Sequence, residues 1–384
     1  MRIFFYHPTS ASTEPEPPLG LAMLIAVAQE EGHHVEFYDQ DLHHKEHSFD
    51  RLLKGFQPEL FVITAMTPQY FHCQKAISLV KDMFPHCKTI LGGPHASALP
   101  DSTMKEIEKL DFLCVGEGEK TFKEFLLALN DQQENFDDIK GLFWRKEGKT
   151  VFTGERELMK EEELDALPMA AWDVIFKKGL YFQTINYVNK PVPVFSIITT
   201  RGCPFECTFC DENSIWKRKV RERKIAHVIE EIKYLKETFH AEHFNVLDDT
   251  FTLKPKRVKE FCGRVKQFNL SYRITAKVNT VTQEMLYDIA DSGCKLVSYG
   301  VESGDEEVLK IMKKKQSLEA VKKAFEMTKK TGMVSYALCM VGNIGEGFNE
   351  VRKTAEFVKH IKADLFSAAI MTPYPGSENY HICE

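Results

Sequence analysis

Thr199-Thr200-Arg201-Gly202-Cys203-Pro204-Phe205-Glu206-Cys207-Thr208-Phe209-Cys210 closes an apolar run and carries three cysteines spaced C-x3-C-x2-C. Three thiolates this close can hold an iron–sulfur cluster while leaving one iron without a protein ligand. An open coordination position is where a small molecule binds and reacts, as in catalytic metal sites. A structural zinc site would want a fourth ligand at similarly short spacing, and His227, His240, His243 and Cys262 complete no familiar pattern. Three cysteines within eight residues on a Gly-Pro turn exceed what inert packing cysteines explain. A disulfide framework is not expected in a chain this long without a secretory segment.

Composition sets the frame around that stretch. A chain of 384 residues predicts two or three units, and 43% hydrophobic residues are ample for sizeable cores. The formal charge of -6 argues against general nucleic-acid binding. The start, Met1-Arg2-Ile3-Phe4-Phe5-Tyr6-His7-Pro8, turns polar too soon for a signal peptide, and no apolar stretch approaches bilayer-spanning length. Ten cysteines without a targeting segment point to a reducing cytoplasm, where a cluster survives.

Upstream, strand-like and helix-like runs alternate in five units. Strands are expected at Arg2–His7, His34–Tyr38, Leu60–Ala65, Thr89–Leu91 and Phe112–Val115. Leu21, Leu24, Ile25 and Ala28 form an apolar stripe that Gly32 should stop. Such alternation implies a parallel sheet covered on both faces, in a flavodoxin-like (Rossmann-type) order. Its ligand site would lie at the carboxyl ends of the strands, near the switch between the first and third. Downstream, six further units follow, with strands at Val194–Ile198, Phe244–Leu247, Arg273–Val278, Leu296–Val301, Tyr336–Val341 and Leu365–Met371. Ile225, Val228, Ile229, Ile232 and Leu235 mark one of the intervening helices.

The cysteine spacing resembles the radical S-adenosylmethionine (SAM) superfamily, in which the open iron of a [4Fe-4S] cluster chelates the amino and carboxylate groups of SAM. The resemblance implies that Cys203, Cys207 and Cys210 ligate iron and that the six downstream units form a partial (β/α)6, TIM-like barrel. Every further motif falls at the carboxyl end of an expected strand, where such barrels place reactive groups. Asp248-Asp249-Thr250-Phe251 is similar to the family's D-D-x-F segment; its carboxylates orient the SAM amine or cap the next helix. Gly300-Val301-Glu302-Ser303-Gly304 matches G-x-E-S-G, which implies a contact of Glu302 with the SAM ribose or amine. Gly342-Asn343-Ile344-Gly345-Glu346 carries Ile344 where the family more often has proline; Gly342 is carried over as cofactor-binding. Lys277 stands where the family often has arginine and is kept as a site residue. Thr372-Pro373-Tyr374-Pro375-Gly376-Ser377 matches P-Y-P-G-T/S, as a signature or a structural turn.

The upstream unit resembles the cobalamin (B12)-binding domain that precedes many radical SAM cores. Pro17-Pro18-Leu19-Gly20-Leu21, Gly92-Gly93-Pro94-His95-Ala96 and Gly116-Glu117-Gly118-Glu119 carry that resemblance, since glycines let the backbone approach a bulky planar ligand. Leu19, Gly20, Gly92, Gly93, His95 and Gly116 are the implied cofactor residues, with His95 serving the corrin or the turn. Asp41-Leu42-His43 begins like the cobalt-ligating D-x-H-x-x-G, but Glu46 occupies the glycine position. His43 and His44 therefore read as exposed loop residues, and cobalt ligation by a protein histidine is not expected.

The division expected is 1–130 cobalamin-binding domain, 131–190 connector and 191–384 radical SAM core. Within the connector, a hairpin around Glu147-Gly148-Lys149 is expected. Lys217, Arg218, Lys219, Arg221, Arg223 and Lys224 read as a solvated helix approach, and Lys313-Lys314-Lys315 as the polar end of a helix. The resemblance implies reductive cleavage of SAM to a 5′-deoxyadenosyl radical and methyl transfer from cobalamin to an unactivated substrate carbon. A cyclase or rearrangement enzyme is the alternative, and a non-catalytic cluster and corrinoid carrier a further one. A small-molecule or lipid-like substrate and a flavodoxin- or ferredoxin-type electron donor are the implied partners. The chain stops at Glu384, shortly after the Pro373-Tyr374-Pro375-Gly376 turn, where relatives usually carry more, so either a minimal core or a truncated chain is expected.

Overall fold

The computed structural model describes residues 1–9, 15–43, 48–177, 179, 181–184 and 191–384. They form two compact units, Met1–Phe182 with Ser214–Trp216, and Gln183–Asn213 with Lys217–Glu384. In the first, the alternating apolar runs become β1 (Arg2–His7), β2 (His34–Asp39), β3 (Leu60–Thr64), β4 (Lys88–Gly92) and β5 (Phe112–Cys114). Their order is β2-β1-β3-β4-β5 with every pair parallel, the flavodoxin-like arrangement expected. Ile3, Phe4 and Phe5 are consecutive and fully buried, because helices cover both faces of a parallel sheet. Phe4, Tyr6, Phe61 and Ile63 face a core shared with the helices Phe49–Phe56 and Tyr70–Met83. Phe5 turns the other way, its ring 6.0 Å from that of Phe122 on the helix Gly118–Asn130. Each fully buried ring contributes roughly 1.5–3 kcal/mol. The helix Leu19–Glu30 stops just before Gly32, whose φ of +76° is the left-handed conformation that glycine adopts without strain.

The expected hairpin is present as β6 (Leu142–Lys146) and β7 (Lys149–Phe152), turning on Glu147 and Gly148 at φ +50° and +77°. It pairs antiparallel with β5 and extends the sheet to seven strands. Phe136 bridges Phe112 and Trp144, with centroids 5.0 and 5.3 Å away. Further on, the Ala171 N–H donates to the carbonyl of Ala22 (3.0 Å), and Trp172 is fully buried.

His43 is not an exposed loop residue. It ends the short helix Gln40–His43, is 2% exposed, and its Nδ1 accepts from the Asp39 N–H at 2.9 Å. The chain turns back after β2 and drives the imidazole against the rings of Phe37 and Tyr38. His44 and Glu46 lie outside the described residues.

The second unit contains β8 (Phe182–Thr184), β9 (Pro191–Ile197), β10 (Thr200–Arg201), β11 (Arg221–Glu222), β12 (His243–Val246), β13 (Ser271–Ala276), β14 (Cys294–Glu302), β15 (Val334–Val341) and β16 (Leu365–Ile370). The six expected strands are parallel neighbours, β9-β12-β13-β14-β15-β16, and form a half-barrel with β8 beside β9. β10 and β11 form a short antiparallel ladder that brackets the cysteine stretch. Ile225, Val228, Ile232 and Leu235 are the buried stripe of the helix Ile225–Phe239. Two arginines of the basic segment are not solvated. Arg221 is buried in β11, while Arg223 donates to the Ile198 carbonyl and pairs with Glu231, both at 2.9 Å. No helix among the described residues is long and apolar enough to cross a membrane.

Candidate functional site

Asp248, just past β12, organises the start of the cysteine loop. It is 2% exposed and accepts from the Thr199 N–H (2.6 Å), the Thr199 hydroxyl (2.5 Å) and the Thr200 N–H (3.0 Å). Gly202 follows at φ +89°, and a Cβ there would lie 2.3 Å from the Lys219 carbonyl oxygen, so only glycine fits. The Cys203 N–H donates to Glu212 (2.9 Å), the Thr208 N–H to the Met312 carbonyl (3.0 Å), and the Asn379 N–H to the Thr208 carbonyl (2.8 Å). The three thiols hang from this anchored loop, all free, with Cys203 and Cys207 half-buried and Cys210 exposed. The Cys203 sulfur stands 3.7 Å from the Thr250 hydroxyl. Burial pushes the Cys203 thiol up, and a cation bound at the sulfur would favour the thiolate. A partly open loop with three sulfur donors fits an iron–sulfur cluster.

Lys277, Lys314 and Glu302 meet at this loop. The Lys277 ammonium lies 4.5 Å from the Phe205 ring centroid and donates to the Lys314 carbonyl; the Lys314 ammonium lies 5.5 Å from the Phe209 centroid. Burial, reinforced by Lys314, pushes Lys277 down to about 8. Burial would lower Lys314 too, but Glu302 and the thiols of Cys207 and Cys210 outweigh it and hold its pKa above the usual lysine value. Lys314 is thus not the polar end of a helix. Its Nζ is 2.7 Å from Glu302 Oε1, with both side chains only about a tenth exposed (12% and 10%).

The G-x-E-S-G segment is shaped around that pair. A Cβ at Gly300 would lie 2.4 Å from Glu302 Oε1 and 2.5 Å from Lys314 Nζ, and one at Gly304 would lie 2.7 Å from the Thr354 Cα. Glu302 itself has φ +63°, at a register shift in the β14–β15 pairing, an uncommon conformation of the kind stored at functional sites. Asp249 is exposed at the rim of the loop, yet partial burial, then Asp248 and Asp211, push its carboxyl up to about 6. Gly342 follows β15 at φ +79°, with open space where a Cβ would be. Sequence reasoning missed Lys314 and Glu212; the only signal for Lys314 was its place one short helix after Glu302.

In the first unit, a largely apolar cleft opens at the carboxyl ends of β3, β4 and β5. Leu24, Val62, Ile90 and Phe122 wall it, and Gly20, Gly92, Gly93 and Gly116 line it. The Cβ positions of Gly20 and Gly116 face open space, which suits a flat apolar group. Gly93 answers to the protein itself, since a Cβ would lie 2.5 Å from the Thr64 hydroxyl. The Ser97 hydroxyl donates to the Gly93 carbonyl (2.9 Å) and accepts from the Gly116 N–H (3.0 Å), fastening two glycine turns together. Leu19 begins the helix Leu19–Glu30 at the third. His95 is buried beneath its turn, stacked on Tyr70 with centroids 4.1 Å apart and with Nδ1 3.2 Å from the Thr67 hydroxyl.

Comparison with known proteins places these features in a family. Residues 197–358 match the radical SAM superfamily, and residues 10–126 match the B12 binding domain. An uncharacterized methyltransferase of Pyrococcus horikoshii is 32% identical over 94% of this chain and 77% of its own length. The cytidylyl-2-hydroxyethylphosphonate methyltransferase of Streptomyces wedmorensis is 26% identical over 95% of this chain and 77% of its own. The anaerobic magnesium-protoporphyrin IX monomethyl ester cyclase of Rubrivivax gelatinosus is 26% identical over 98% of this chain and 69% of its own. The radical SAM methyltransferase TsrM of Kitasatospora setae, solved with cobalamin and a [4Fe-4S] cluster, shares the fold with a TM-score of 0.80. It is 17% identical, over 98% of this chain and 73% of that one. The chain therefore belongs to the cobalamin-binding radical SAM enzymes, whose cofactors are a [4Fe-4S] cluster, SAM and cobalamin.

Proposed function

We propose that this enzyme methylates an unactivated carbon of a small-molecule substrate. The observation that carries the proposal is the gathering of a three-cysteine loop, Glu302, Lys277 and Lys314 at the strand ends of a chain 32% identical to a methyltransferase. Cys203, Cys207 and Cys210 hold the cluster. Asp249, which has no ion-pair partner among the described residues, receives the SAM ammonium, while Asp248 keeps the loop in place. Glu302 receives a ribose hydroxyl, because Lys314 already neutralises its charge and would repel a second ammonium. Lys277 faces the SAM carboxylate, and Gly342 leaves room for the base. Leu19, Gly20, Gly92, Gly93 and Gly116 frame cobalamin, and His95 stiffens its turn without touching cobalt. When bound, these groups supply the electron that cleaves SAM and the methyl carrier; the protein orients them and excludes water.

Exposed Lys217, Arg218 and Lys219, just past the cysteine loop, suit an acidic donor such as flavodoxin or ferredoxin. A reducing cytoplasm fits ten cysteines, all free, and an oxygen-sensitive cluster. The test is anaerobic reconstitution with methyl-deuterated SAM and dithionite, following 5′-deoxyadenosine and the label. Label passing into cobalamin and on to a co-purified metabolite supports methyl transfer. Formation of 5′-deoxyadenosine with the label left on SAM or methionine sinks it in favour of cyclisation.

A further inference from the structure

We infer that Lys314 is a positioning residue of the SAM site, one that fixes the Glu302 carboxylate and ties it to the cysteine loop. The inference rests on the reading of Glu302 as a SAM contact. Glu302 Oε1 is engaged by Lys314 at 2.7 Å, and Oε2 has no hydrogen-bond partner among the described residues. One oxygen is thereby pinned while its twin stays available to a donor on the ligand. A carboxylate at left-handed φ on an irregular strand end has no intrinsic preference for this pose, so its partner sets it.

The lysine is itself fixed from three directions. Its carbonyl accepts from Lys277. Lys313 before it pairs with Glu378 (2.7 Å), and Lys315 after it pairs with Glu206 (2.6 Å), the residue next to Cys207. Three consecutive lysines thus clip the end of β14, the helix Glu378–Cys383 and the cysteine loop to one another. Gly300 confirms that the pair is built in, because any side chain at that position would occupy the space where the carboxylate and ammonium meet. The outer two pairs are roughly half exposed and contribute little energy; they set register. The inner pair is desolvated, and removing one partner leaves the other exposed to its full burial cost.

The experiment uses the full chain with its cluster reconstituted. Iron content is measured together with SAM affinity by equilibrium dialysis for wild type, Lys314→Met, Lys314→Arg and Glu302→Ala. Lys314→Met is expected to keep its iron, bind SAM about tenfold more weakly or worse, and be restored in good part by Lys314→Arg. Native affinity in Lys314→Met, with Glu302→Ala weakened, would overturn the role of Lys314 alone. Native affinity in Glu302→Ala would overturn the reading of Glu302 and this inference with it. Loss of iron in Lys314→Met would make the lysine part of the cluster loop's own folding and overturn the inference too.

Discussion

A leucine at position 20 should weaken cobalamin binding by one to two orders of magnitude without harming the fold. Gly20 lies in the first turn of the helix Leu19–Glu30, lines the apolar cleft, and has no heavy atom within 4 Å of where a Cβ would sit. The new Cβ therefore meets no protein, the rest of the side chain extends into the cleft, and the helix gains up to roughly 1 kcal/mol from losing a glycine. A bound corrinoid would lose contact with the area the leucine covers. At about 25 cal/mol per Å² and roughly 100 Å² of apolar contact, that is about 2.5 kcal/mol, or about 60-fold in affinity. Titration with hydroxocobalamin by visible absorbance measures the affinity, and thermal unfolding of the same sample reads the fold. Gly93→Val is the contrasting variant: its φ of +98° and a Cβ contact at 2.5 Å should lower stability before any ligand is added. A Gly20→Leu protein that binds hydroxocobalamin as tightly as wild type would refute the placement of cobalamin in this cleft.

Other outcomes follow from the second unit. Cys207→Ala should lower iron content and stop 5′-deoxyadenosine formation, since two thiolates cannot hold the remaining irons in place; retained iron with full activity would dismiss the ligand assignment. Gly202→Ala should also lose iron, because left-handed backbone costs about 1–2 kcal/mol for alanine and the Lys219 carbonyl blocks its Cβ, while cobalamin binding stays as it was. His243 is 1% exposed, and burial pushes its imidazole down to about 4. Neutral His243 stabilises the fold fully above the unfolded pKa of about 6.5, and that contribution falls away toward pH 4 by about 3 kcal/mol. His243→Gln should flatten the loss of unfolding midpoint between pH 6.5 and 4; an unchanged slope would exclude the histidine as its source.

The strands were legible because each is a short apolar run at a regular interval, and both strand orders follow from parallel crossovers. The cysteines were legible because their spacing is local. Lys314 was not, since its meaning depends on a short helix returning the chain over Glu302, and a lysine in a basic run looks solvated from sequence alone. His43 was misread for a related reason: polarity suggested a loop, whereas the turn after β2 drives the ring against Phe37 and Tyr38. The motif glycines were read as making room for a ligand, which is an incomplete cause. Gly93, Gly300 and Gly304 are required by neighbouring protein atoms, whereas Gly20, Gly116 and Gly342 leave open space where a Cβ would be.

The hairpin of β6 and β7 decides where the chain can be cut. β5 is only three residues long and has β6 as its outer neighbour, so a fragment ending near residue 130 would leave that backbone row unpaired. Phe112 would lose its contact with Phe136, and Phe136 its packing on Trp144. A bare, apolar sheet edge is a template for pairing with other chains. Such a fragment should associate or precipitate, whereas one running through the buried Trp172 and Ile175 keeps its edge covered. The hairpin thus replaces the apolar edge of β5 with β7, whose side chains are mostly turned to solvent.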